Sequence, residues 1–269
     1  MAIKHIMVAH DLSEHAHIAL QRAWHLAQQH GARLTILHVM EGHLPPAVLK
    51  QNQAAAEELI GQQISRLNAQ AELIVVIGRP AQSIVAQQRA RSVDLLVMGD
   101  HHQDSPQYFT GTTLERVLQR SSAPVLLAVS AEPAVYQQAL VPMDFSRCAC
   151  NALHAAYALL PESATIHAVH ILEHAHMHAC DTDEHEWQEE LFAQLIVDEQ
   201  KKMPAQGPAI SHALHQGELH SCLSEILAQQ KPQLLAVGKH GRGVLADVLL
   251  GSLAQYFLEH PPCDVLLVR

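Results

Sequence analysis

The chain has 269 residues, 48% of them hydrophobic and 16% charged, with a formal net charge of -10, which suits one large domain or two of ordinary size with real cores. Only 17 Lys and Arg are present and they are scattered; nucleic-acid binding needs them concentrated, so that class is excluded. No apolar run approaches the roughly 18 residues of a membrane span, and Ile3-Lys4-His5-Ile6-Met7-Val8 has neither the flank nor the length of a secretory leader. The expectation is a globular, cytoplasmic protein with no membrane partner. Five cysteines, Cys148, Cys150, Cys180, Cys222 and Cys263, all fall in the second half, and their odd number argues against a disulfide framework.

In chain order, Ile3 to Ala9 reads as a strand. Ser13 opens a helix carrying Ala16, Ala19, Leu20, Ala23 and Ala27 on one face, and Gly31 closes it. Leu34 to Val39 is the second strand. Val48 to Leu67 is an amphipathic helix with Leu59, Ile60, Ile64 and Leu67 inward. Strand Glu72 to Ile77, helix Pro80 to Ala90, strand Asp94 to Gly99, helix Thr112 to Gln119 and strand Val125 to Val129 follow. Alternating strands and helices imply right-handed crossovers and a parallel sheet covered on both faces.

The same order then repeats, with strands from Ala139, Thr165, Ala209, Leu234 and Val265 and helices from Cys148, Glu184, Leu219 and Gly251. His10-Asp11-Leu12-Ser13 corresponds to Met143-Asp144-Phe145-Ser146, and Leu37-His38-Val39-Met40-Glu41 to Val169-His170-Ile171-Leu172-Glu173. The chain therefore reads as duplicated domains, 1–132 and 137–269, joined by a short Pro133-containing stretch.

The second domain carries Gly238-Lys239-His240-Gly241 at a strand end, with Gly251-Ser252 opening the next helix. Glycines there admit a ligand close to the backbone, and unpaired N–H groups at a helix start suit phosphate; a lone Gly-x-x-Gly is equally a turn signal. Gly241-Arg242-Gly243 also matches a dinucleotide fingerprint nominally, but it lies near the chain's end and not after the first strand of a βαβ unit, so that reading is rejected.

With these anchors and this loop together, the whole chain resembles the universal stress protein (UspA-like) family in its tandem form. The most specific match is the motif G-x2-G-x9-G-[ST], met by Gly238, Gly241, Gly251 and Ser252. The resemblance implies two doubly wound α/β domains, Rossmann-like and related to the adenine nucleotide alpha hydrolases, each with a five-stranded parallel sheet in the order 3-2-1-4-5. It implies ATP at the strand carboxyl ends. Carried over, Met143 and Asp144 lie by ribose or reach the phosphates through a metal ion such as Mg, and Ile171 offers its backbone to adenine. Gly238 and Gly241 line ribose and phosphates, and Gly251, Ser252 and Leu253 close on the phosphates. Lys239 and Arg242 are candidate neutralising cations. Ala254 stands where ATP-binding members often have a hydroxyl. In the first domain the motif is Gly99-Asp100-His101-His102, eight residues, then Gly111-Thr112; the lost glycine and the added carboxylate oppose phosphate there.

His174, His176, His178 and Cys180 alternate, so an extended chain points three imidazoles and a thiol one way, a zinc or copper donor set. Histidine is enriched throughout the chain, 22 in all, and biased composition produces the same run without a metal. No committed catalytic motif is present; slow ATP hydrolysis or self-phosphorylation at Ser252 is the most the residues support. The apolar last strand of each domain would be an exposed edge in isolation, which in the family pairs between domains; the expectation is an internal pseudo-dimer, with a homodimer open. The two functional readings are therefore a regulatory adenine-nucleotide binder and a metal-binding stress protein.

Overall fold

The computed structural model describes residues 2–42, 45–100, 112–131, 134–173, 182–239 and 250–269. The chain divides into two compact units, Ala2–Ala134 and Val135–Arg269. The first contains β1 (His5–Ala9), α1 (Glu14–His30), β2 (Arg33–Met40), α2 (Pro46–Arg66), β3 (Ala71–Ile77), α3 (Pro80–Ala90), β4 (Leu95–Gly99), α4 (Thr113–Arg120) and β5 (Val125–Ala128). The second contains β6 (Gln138–Pro142), α5 (Arg147–Leu159), β7 (Thr165–Leu172), α6 (Thr182–Gln200), β8 (Ala209–Gln216), α7 (Leu219–Gln230), β9 (Leu234–Gly238), α8 (Ser252–Glu259) and β10 (Asp264–Val268). Strand order is β3-β2-β1-β4-β5 in one unit and β8-β7-β6-β9-β10 in the other, parallel throughout.

The central strands are shielded on both faces, and Ile6, Met7 and Val8 in β1 and Ala139, Leu140 and Val141 in β6 are fully buried. Local signals set the helix ends. The Ser13 hydroxyl accepts from the Ala16 N–H at the start of α1, and Gly31 stops it at φ 59, the left-handed conformation a glycine adopts without steric cost. Ser146 caps α5 in the same way through the Ala149 N–H. The expected inward face of α1 is buried as a stripe. In α2 the expectation fails for Leu59, which is 42% exposed, because the buried i, i+4 pair is Ala56 and Ile60 and Leu59 falls beside that stripe. Arg22, unmarked by the sequence pattern, is also buried in α1, where its guanidinium donates to the Ala134 carbonyl at 2.5 Å.

The feature that shapes each crevice is a close approach between a strand end and a helix start. A Cβ on Gly238 would lie 2.8 Å from both the Ala149 nitrogen and the Cys148 carbonyl carbon, and one on Gly99 would collide with the backbone of His15 and Ala16. The first glycine of the motif is therefore required by packing of β9 on α5, and its counterpart by packing of β4 on α1. We expect Gly238→Ala to cost about 1–3 kcal/mol, the range for overpacked sites. Gly61→Ala in α2, where a Cβ meets nothing within 4 Å, should be neutral or stabilising, since alanine is favoured over glycine in a helix by about 1 kcal/mol. Urea denaturation of the two variants measures the contrast.

Candidate functional site

In an open parallel sheet of this order the carboxyl ends of the strands diverge beside the first strand, and a crevice opens there. The turn leaving the first strand is built alike in both units. Phe145 and Leu12 have positive φ values of 63 and 74, an uncommon conformation for bulky residues that must be held by its surroundings. Two contacts hold it. Asp144 Oδ1 accepts from the Ser146 N–H at 3.0 Å, and Asp11 Oδ1 accepts from the Ser13 N–H at 3.0 Å and the Ser13 hydroxyl at 2.6 Å. From the second strand, His170 Nδ1 donates to the Met143 carbonyl at 2.6 Å, and His38 Nδ1 donates to the His10 carbonyl at 2.7 Å. The repeated His-x-x-Glu anchor thus pins the turn, a role the sequence pattern located without explaining.

These contacts place Asp144 at the carboxyl end of β6 while engaging its carboxylate in a local turn. The peptide of Ile171 follows from strand alternation. Val169 accepts from the Met143 N–H and Leu172 from the Gly217 N–H, so Val169 and Ile171 present their backbone toward β6, and Ile171 lies past that strand's end. Lys239, 2% exposed, continues β9, with its N–H donating to the Val268 carbonyl at 2.6 Å. Gly251 N–H donates to the Lys239 carbonyl at 2.9 Å, so the chain leaves and re-enters the site at one point. Met143, Asp144, Ile171, Gly238, Lys239, Gly251, Ser252 and Leu253 thus lie on one carboxyl edge. Gly241 and Arg242 lie outside the described residues, as do His174, His176, His178 and Cys180. Among the described residues no group of three or more His, Cys, Asp or Glu is arranged to hold a metal ion.

The two units differ most at the helix that faces the crevice. In the first, Thr112 and Glu115 form a capping box: Glu115 N–H donates to Thr112 Oγ1 at 3.2 Å, and Glu115 Oε2 accepts from the Thr112 N–H at 2.8 Å. A carboxylate of the chain itself therefore occupies the positive end of α4. In the second, the N-cap of α8 is Gly251, at φ -62 and ψ 151, with no side-chain cap; Ala254 stands three residues on, where a capping box needs a Glu or Gln, and Gln255, the next residue, donates to Glu259. Among the described residues, the N-cap of α8 thus supplies no side chain to its first N–H groups. The Thr-x-x-Glu pattern of a capping box stands in the sequence at Thr112 and could have been read there. Ala254 is fully buried, so its methyl belongs to the core.

The first unit nonetheless keeps a cavity of about 130 Å³ at the same edge, with Leu37, Val39, Ile84, Met98 and Leu114 among its apolar walls and Asp11 and Asp100 among its polar ones.

Fold and site together define an open α/β domain, present twice in one chain, whose first copy holds a cavity at its carboxyl edge. The model of the universal stress protein family matches residues 2–128 and 136–269, and the chain belongs to that family as a tandem of two such domains. A universal stress protein of Thermus aquaticus is 31% identical over 134 residues, covering 46% of this chain and 97% of the relative. Among solved structures, a universal stress protein from Archaeoglobus fulgidus aligns with a TM-score of 0.75 at 19% identity, over 98% of both chains. One described as a putative universal stress protein from Pseudomonas aeruginosa aligns with a TM-score of 0.68 at 18% identity, over 99% of this chain and 93% of that one. At these identities the structural likenesses carry the fold. No helix among the described residues is long and apolar enough to cross a membrane.

His10 separates the two sites electrostatically. Burial, only partly opposed by Asp11, lowers its pKa to about 4; the second unit has Met143 there. Below pH 6.5 the unfolded chain takes a proton that the folded domain refuses until about pH 4. This share of stability is whole above pH 6.5 and is lost as pH falls across that window, amounting to about 3 kcal/mol at roughly 1.4 kcal/mol per pKa unit. His10→Met should flatten the stability profile of the first domain between pH 6.5 and 4, read by urea titration at stepped pH.

Proposed function

We propose that this tandem protein is a stress-response regulator whose second domain holds an adenine nucleotide, ATP by preference, and whose conformation reports nucleotide state. The observation that carries the reading is the contrast between the two helix starts. An uncapped N-terminus with a glycine at its N-cap offers N–H donors and a favourable dipole to phosphate oxygens. The twin helix has already filled that position with Glu115.

The remaining residues have complementary roles. Ile171, past the end of β6, presents the N–H and C=O pair that the edge of adenine requires. Lys239 puts a cation within the end of β9, and Asp144 supplies the acidic group through which a divalent ion such as Mg would join the phosphates. Gly241 and Arg242 belong to this site by the motif. Among its described residues no nucleophile is paired with a base, and binding, with at most slow hydrolysis, is the proposed activity.

Gly251→Asp tests this directly. The backbone at Gly251 is one that any residue adopts, and aspartate is a favoured N-cap. The variant should keep or slightly raise its thermal midpoint while binding ATP at least tenfold more weakly in equilibrium dialysis. Equal binding by the variant and the natural protein, or no ATP binding by the natural protein, would overturn the proposal.

A further inference from the structure

The first domain has lost the second glycine of the phosphate motif and keeps a cavity lined by described residues at the same edge. Its cavity measures about 130 Å³. That is room for one flat ring system, and well below the roughly 300–1,000 Å³ of sites that enclose a whole drug-sized ligand. The walls that would hold such a ring are apolar: Leu37 and Val39 from β2, Ile84 from α3, Met98 from β4 and Leu114 from α4.

Backbone on one wall supplies direction. Leu37 accepts from the His10 N–H at 2.8 Å and Met40 from the Gly78 N–H at 2.9 Å. Alternation therefore turns the Val39 N–H and C=O toward β1, and Val39 lies beyond the last residue of that strand, Ala9. A donor and an acceptor side by side match the edge of a heterocyclic base.

The other end of the crevice is acidic. Asp11 and Asp100 line it, and the first turn of α4 is capped by Glu115. Three carboxylates repel a phosphate, whereas a carboxylate oxygen accepts hydrogen bonds from sugar hydroxyls. We propose that the first domain is a nucleoside site, taking an uncharged base with its sugar and rejecting the phosphorylated forms. The inference stands on the first domain's own geometry and does not require the second domain to hold ATP.

Methionine methyl groups report the two sites separately in the full chain. Met98 lines the first cavity, and Met143 follows β6 at the second edge. In protein labelled with carbon-13 at the methionine methyls and assigned with Met98→Leu and Met143→Leu, adenosine should shift the Met98 signal saturably, and AMP should need at least tenfold more ligand. Glu115→Gln keeps a residue that can serve in a capping box while removing the charge, and should cut that adenosine-over-AMP preference to less than threefold. A Met98 signal that adenosine leaves in place, or that AMP moves at equal concentration, overturns the proposal, as does an unchanged preference in Glu115→Gln. A Met143 signal unmoved by ATP would count only against the nucleotide reading of the second domain.

Discussion

At the carboxyl edge of each domain a strand end and a helix start touch backbone to backbone. Without a side chain at Gly99 or Gly238, the last residue of β4 or β9 packs directly on the first turn of α1 or α5. The turn leaving the first strand is thereby fixed in height against its neighbour, and the second-strand histidine and the Asp–Ser turn only need to hold it there. Positive φ at Leu12 and Phe145 is the local cost of that arrangement. Because the contact is between backbones, it survives wide changes in the side chains around it, and the two halves of this chain have diverged around a common frame.

What diverged is the electrostatics at the far side. A helix start is a fixed positive pole that is neutralised either by the protein or by a ligand. Glu115 makes the first choice in one domain, and Gly251 supplies no capping side chain in the other. His10 and Met143 differ in the same sense, one a buried imidazole kept neutral at ordinary pH and the other an apolar side chain that titrates nothing.

Most of the framework was legible in the sequence, because each element carried its own signal. Ser13, Gly31 and Ser146 act as caps in the way their residue types suggest, and the buried strands appear as uninterrupted aliphatic runs. Leu59 misled because a helix with a weak stripe has two near-equivalent apolar faces, and only packing chooses between them. Arg22 was missed because its partner is a carbonyl 112 residues away. Gly238 was legible as special but for an incomplete reason: a glycine at a strand end can admit a ligand or another piece of chain, and spacing alone does not separate the two. Its counterpart Gly99, kept beside a motif that has lost its second glycine, packs in the same way and marks the structural role. The universal stress protein resemblance supplied a ligand class that residue spacing by itself would have left open.

The hydrogen bond from Gly251 to Lys239 also governs how the excursion between them can vary. A segment whose two ends are tied together contributes little to the geometry of the sheet beneath it, and a change in its length costs only a small increment in closure entropy. Insertions and deletions can therefore accumulate there while strand register and helix placement stay fixed, which fits a spacer in the first domain shorter by one residue than its twin. The clamp makes this connection of the second domain a replaceable part, one whose exchange leaves the strands and helices around it in place.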